Sequence, residues 1–182
     1  MDTQFSWRTR SVETLPGSAL PELSELAEAL IIKLIRMKGT IAVAESCTAG
    51  ALAHCLSRAE GAGGALLGGF VTYMSSAKTR MLDVPAKLIA AHSAVSGPVT
   101  REMAKSVLAR TDATLALAIT GVTGPICDDC GNPRGRVFIA SARNSGRGLE
   151  CHCEFGAFPP TVLLDAALRT ALAVGIDALK SQ

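Results

Sequence analysis

Between residues 21 and 38, apolar side chains return every three or four positions. Leu23, Leu26, Ala27, Leu30, Ile31, Leu34 and Ile35 share one face of a helix. Pro21 suits its first turn, Glu22 and Glu25 lie at the positive end of its dipole, and Gly39 ends it. The pattern then changes to that of a strand. Thr40 to Ala44 is β-branched and apolar and leads through Glu45, Ser46 and Cys47 into a helix expected over Thr48 to Arg58. Leu66 to Tyr73 reads as the next strand, Pro85 to Ala91 and Val99 to Arg110 as helices, and Thr114 to Thr120 as a buried strand. Val137 to Ala142 and Leu149 to Phe155 flank the turn residues Asn144 to Gly148 and predict a β-hairpin. Thr161 to Leu179 closes the pattern as a helix. Its polar stripe of Asp165, Arg169, Asp177 and Lys180 is narrow enough to imply burial, and suggests a homodimer or another homo-oligomer. Strands alternating with helices predict a single α/β layered domain, and the hairpin makes its sheet mixed rather than purely parallel. Residues 1–20 read as a polar, flexible tail, so the folded body is expected over 21–180.

Composition narrows the function classes. The 182 residues are 48% hydrophobic and only 4% aromatic, which leaves little material for stacking nucleic-acid bases. Eighteen basic residues against sixteen acidic ones give a formal charge of +2, too weak for the clustered basic stripe of a nucleic-acid binder. No apolar run reaches the roughly 18 residues of a membrane span, and Met1 to Pro16 lacks the apolar core of a signal peptide. A cytoplasmic protein acting on small molecules is expected, with its six cysteines reduced.

The sharpest local feature is Glu45-Ser46-Cys47-Thr48-Ala49-Gly50 at the strand-to-helix junction. A hydroxyl there lies beside unpaired amides able to hold an anion or a tetrahedral oxyanion, which suits acyl transfer. The alternative is that Ser46 and Thr48 cap the helix and Cys47 fills space. Cys47 is a rival nucleophile, yet nothing adjacent supplies its base. The three histidines, His54, His92 and His152, stand near no Gly-x-Ser-x-Gly elbow, so a serine-histidine-aspartate triad lacks support. A lysine neutralised by burial is the other base available to a serine. Lys78 is the candidate, read as lying at the end of the strand that carries Tyr73, with a solvated loop lysine as its alternative.

Five segments together resemble the CinA carboxy-terminal domain family, the nicotinamide-nucleotide amidohydrolases. They are Ala44 to Gly50, Gly68 to Tyr73 with Lys78 following, His92 to Ser96, Thr120 to Pro125, and Pro133 to Val137. The resemblance implies a three-layer α/β/α domain with a mixed central sheet that deamidates nicotinamide mononucleotide to nicotinate mononucleotide and ammonia. It implies Ser46 as nucleophile, Lys78 as base and Tyr73 as an orienting or proton-relaying group. Glu45, Cys47, Thr48, Ala49 and Gly50 would surround the reacting amide, while Thr120, Gly121, Gly124 and Arg134 would contact the nucleotide. No metal or organic cofactor is required. Three departures bear on substrate choice: Ala49 replaces a glycine, Met74-Ser75 replaces Ser-Asn, and Gly156-Ala157-Phe158-Pro159-Pro160 replaces a Gly-Asp-Arg segment. They motivate the alternative of a catalytically silent relative that binds a nucleotide or a protein partner. Separately, Cys127, Cys130, Cys151 and Cys153 form two close pairs from which a structural zinc site, free thiols or a redox pair could be built.

Overall fold

The computed structural model describes residues 5–15 and 20–180. Six strands form one sheet: β1 (Ser6–Val12), β2 (Ile41–Glu45), β3 (Leu66–Val71), β4 (Leu115–Gly121), β5 (Arg136–Arg143) and β6 (Arg147–Glu154). Their order is β1-β6-β5-β4-β2-β3; β3, β2 and β4 run parallel, β5 is antiparallel to β4, and β6 is antiparallel to β5. The helices are α1 (Leu23–Arg36), α2 (Ala51–Ser57), α3 (Ser75–Leu82), α4 (Ala86–His92), α5 (Gly97–Arg110) and α6 (Pro160–Ala178). No helix among the described residues is long and apolar enough to cross a membrane.

Side-chain size alternates along the central strands and assigns a helix layer to each face. Ile41 and Val43 of β2 and Leu115, Leu117 and Ile119 of β4 point toward α1, α2 and α6. Ala42, Ala44, Ala116 and Ala118 point the other way, beneath Val99, Met103 and Val107 of α5. On the α5 face small sheet residues accept large ones from the helix, the kind of interdigitation that close-packed interiors need. The three-layer α/β/α arrangement with a mixed sheet follows. Within the chain, α6 packs on α1 and on β4, β5 and β6, which accounts for the narrowness of its polar stripe. Arg169 bridges Asp165 and Glu22 on that stripe, tying α6 to the start of α1.

Two expectations change. The tail expected over residues 1–20 contains β1, which pairs in parallel with β6 from Ser6 opposite Arg147 to Val12 opposite Cys153. This is an edge strand with mostly exposed side chains, so it lacks the apolar alternation of a half-buried one. Its anchor is Trp7, which stacks on Phe5 and lies under the Arg101 guanidinium. A Cβ at Gly148 would stand 2.4 Å from the Trp7 ring, so only glycine admits the indole there. The second change is at α2, which starts at Ala51 rather than Thr48. Ala49 and Gly50 both take left-handed backbone angles, φ +49° and +100°, and hold residues 46–50 as a turn. The hairpin forms as expected with a tighter loop, closed by Gly146 at φ +80°.

Candidate active site

Strand β2 ends in a carboxylate buried without any exposed surface. Glu45 accepts the Thr48 hydroxyl at 2.7 Å and the Gly50, Leu52 and Ala53 amides at 2.9, 3.0 and 2.8 Å. The buried charge is matched by four donors, and one side chain thereby holds both the turn and the first amides of α2. Ser46 follows directly, its amide bonded to the Ile119 carbonyl of β4. Its hydroxyl projects from the carboxyl ends of the parallel strands, the customary place for ligands in such sheets.

Lys78 meets it there. The Nζ atom donates to Ser46 Oγ at 2.8 Å and to the Thr72 carbonyl at 2.8 Å, and the residue is only 1% exposed. Burial lowers its pKa from 10.5 to about 8, because a desolvated ammonium is penalised relative to the neutral amine. Lys78 comes from α3, not from a strand end as the sequence suggested. The chain leaves β3, turns at residues 72–74 and sends the first turn of α3 back over Ser46. The solvated-loop alternative is ruled out by its burial.

The neighbouring cysteine is no competitor. Burial pushes the Cys47 thiol up to about 12, so it stays protonated at neutral pH. No histidine bonds Ser46 among the described residues; His54 and His92 are exposed on helices, and His152 stands on β6 beside Glu150.

A cavity of about 410 Å³ reaches Cys47, the neighbour of Ser46, and its walls also include Tyr73, Val95, Gly124 and the loop from Ile126 to Cys130; Ser46 and Lys78 themselves are not among its lining residues. Tyr73 is 68% exposed on its rim, and no hydrogen bond links it to Ser46 or Lys78 among the described contacts. It faces the cavity rather than orienting the lysine; the Thr72 carbonyl does that.

Several expected contact residues serve the frame instead. Glu45 and Thr48 are buried and paired with each other. Thr120 is fully buried and donates to the Ala94 carbonyl, fixing the opposite wall. Gly121 lines the cavity, and its missing side chain also lets β4 approach Arg136 O of β5, where a Cβ would stand 2.8 Å away. At Gly124 a Cβ would meet nothing within 4 Å, so the space before it is open to a ligand. Arg134 does not line the cavity. Its guanidinium donates to the Pro125 and Phe158 carbonyls and staples two loops. The amides of Ala49 and Gly50 are spent on Ser46 O and Glu45. Those of Cys47 and Thr48 have no protein acceptor among the described hydrogen bonds.

The four-cysteine zinc arrangement is not assembled. Cys151 and Cys153 lie buried 3.8 Å apart in the core, whereas Cys127 and Cys130 are exposed on the cavity loop. Among the described residues no group of three or more His, Cys, Asp or Glu side chains is placed to hold a metal.

Sequence reasoning missed the Thr72 carbonyl, since a main-chain acceptor leaves no mark in residue type. It also missed the Asn132 amide, which bonds Ser93 Oγ and Asp128 and ties two cavity walls together.

Comparison with known proteins identifies the family. The family model described as the CinA C-terminal domain matches residues 23–175. A CinA-like protein of Chlorobaculum tepidum is 42% identical over 117 residues, 64% of this chain and 28% of that protein. One from Mycolicibacterium gilvum is 48% identical over 110 residues, 60% of this chain and 26% of its own length. The chain thus spans well under a third of these curated relatives. Among solved structures, the competence/damage inducible protein of Agrobacterium tumefaciens superposes with a TM-score of 0.84 at 32% identity, covering 89% of this chain and 98% of its own. A CinA superfamily protein of Escherichia coli gives 0.79 at 36% identity, covering 83% and 87%. With the match running from α1 into α6 and the Ser46 turn within it, the chain belongs to the CinA C-terminal domain family.

Proposed function

We propose that this protein is an amidohydrolase that deamidates nicotinamide mononucleotide, or a close carboxamide relative, through Ser46 as nucleophile and Lys78 as base. The observation that carries the reading is the 2.8 Å contact between a serine hydroxyl and a buried lysine amine beside an open cavity. A neutral Lys78 accepts the Ser46 proton while one of its own N–H bonds stays on the Thr72 carbonyl. Ser46 Oγ attacks the amide carbon, and the oxyanion takes the free amides of Cys47 and Thr48. Lys78 returns its proton to the departing nitrogen, which leaves as ammonia. Water then adds to the acyl-serine with Lys78 taking its proton and passing it to Ser46 Oγ as the C–O bond breaks, and the acid product departs. The sum is one amide and one water giving one acid and one ammonia.

The test is ammonia release from nicotinamide mononucleotide by the purified chain. Ser46→Ala should lower it by roughly a thousandfold or more while the circular dichroism spectrum is unchanged. Wild-type protein that releases no ammonia from any pyridine carboxamide overturns the proposal. A second reading, a silent relative that only binds a nucleotide, draws on Arg134 being committed to two loop carbonyls. Thermal stabilisation by the nucleotide without turnover would select it.

A further inference from the structure

The six thiols fall into three pairs by exposure. Cys151 and Cys153 are buried together in the core. Cys47 and Cys55 are partly buried, and desolvation raises both pKa values, so they remain protonated. Cys127 and Cys130 alone are exposed. They stand three residues apart on the β4–β5 loop and both line the cavity beside Ser46.

The turn between them is wired to both cavity walls. Asp128 Oδ1 accepts the Cys130 amide at 3.0 Å and the Asn132 amide at 2.7 Å. The Asn132 side-chain amide donates to Asp128 Oδ2 at 2.8 Å and to Ser93 Oγ at 3.1 Å. Ser93 Oγ in turn accepts the amide of Val95, a residue of the facing wall. A change in the 127–130 turn therefore reaches the opposite side of the cavity through two side chains.

We propose that Cys127 and Cys130 form a reversible disulfide that switches the cavity mouth between a reduced form held only by hydrogen bonds and a covalently constrained oxidised form. With a peroxide as oxidant, one thiolate attacks the O–O bond, giving a sulfenic acid and, with one proton, water. The second thiol attacks that sulfur, the S–S bond forms and a second water leaves. Two thiols and one peroxide thus give one disulfide and two waters. A thiol reductant reverses the step by exchange, itself becoming the disulfide. Bridging needs the two Cα atoms about 4.4–6.8 Å apart. Residues 126–131 belong to no helix or strand, so the adjustment has to accommodate the Asp128 turn bonds rather than a strand ladder. Once closed, the ring restrains Asp128, and with it the Asn132–Ser93 link.

The experiment treats the whole chain with hydrogen peroxide, alkylates it after unfolding and maps every cysteine by mass. Expected is loss of two hydrogens across Cys127 and Cys130, restored by dithiothreitol, with the other four thiols alkylated. Limited proteolysis within residues 122–135 should slow at least about fivefold on oxidation, the lower end of typical coupling between sites. Nicotinamide mononucleotide affinity, where binding is present, should change by a similar factor. Cys127→Ser and Cys130→Ser proteins should each lose the proteolytic response to peroxide. Thiols that stay free, oxidation past the sulfenic state without bridging, or a disulfide that alters neither proteolysis nor nucleotide affinity would overturn the switch. Absence of ammonia release from the reduced protein would count against the amidohydrolase alone, because mass mapping and proteolysis read the switch without turnover.

Discussion

Replacing Lys78 with methionine tests the central pair through stability rather than activity. The wild-type fold holds an amine whose pKa drops from 10.5 to about 8. At 1.36 kcal/mol per pKa unit, carrying that group charged in the folded state costs on the order of 3 kcal/mol below pH 8. The sign follows from proton counting. Between about pH 8 and 10.5 the unfolded chain holds the lysine proton and the folded chain does not, so wild-type stability rises with pH across that window. Below it the full penalty is present, and above it the penalty is gone. Methionine keeps most of the apolar stem and removes the charge, but it strands Ser46 Oγ and the Thr72 carbonyl, each costing about 1–3 kcal/mol if left unpaired. Near pH 7 these effects roughly cancel, so the variant should be close to wild type in stability while inactive. The signature is the pH dependence: relative to wild type, Lys78→Met should lose about 2–3 kcal/mol between pH 7 and pH 10.5. Urea titrations of both proteins across that range, fitted with a common slope, measure it directly. A difference that stays constant, within the about 10–15% error of denaturant extrapolation, refutes a depressed lysine pKa and with it the base assignment.

Further outcomes follow from other contacts. The kcat/KM for ammonia release should climb with pH to a plateau above about 8, tracking free Lys78 amine; a flat profile through that range would contradict a lysine base. Arg134→Ala should change nucleotide KM by less than about threefold, because the guanidinium staples loops, whereas a phosphate-binding arginine would cost roughly tenfold to a hundredfold. Gly148→Ala should displace Trp7 and destabilise the protein by about 1–3 kcal/mol. Trp7 is the single tryptophan of the chain, so its fluorescence reports the displacement, and an unchanged emission spectrum would contradict the packing.

The layered body was legible because its periods are strong. The three-and-four spacing of α1 and the Leu-Ala-Leu-Ala-Ile alternation of β4 leave few alternatives. Ser46 was legible for a different reason: it stands where an apolar run gives way to small residues. What escaped detection rests on long-range pairing or on backbone atoms. Strand β1 has no apolar alternation and exists because β6 offers an edge and Gly148 admits an indole. Lys78 itself was the expected base, but the helix that carries it was not, because the polarity of Ser-Ser-Ala-Lys-Thr-Arg-Met-Leu conceals it. Glu45 was expected at the reacting amide from the family resemblance, and its four internal donors become evident only once the turn has closed around it.

The amine of Lys78 takes its aim from a peptide oxygen at position 72. Whatever amino acid a codon places at that position, the oxygen remains, so genetic drift at this site cannot disarm the base by deleting a partner. Only a rerouting of the segment that joins β3 to α3 could do so, for example by an insertion or deletion there. The segment's length, more than the chemistry of its side chains, is therefore what selection would have to guard.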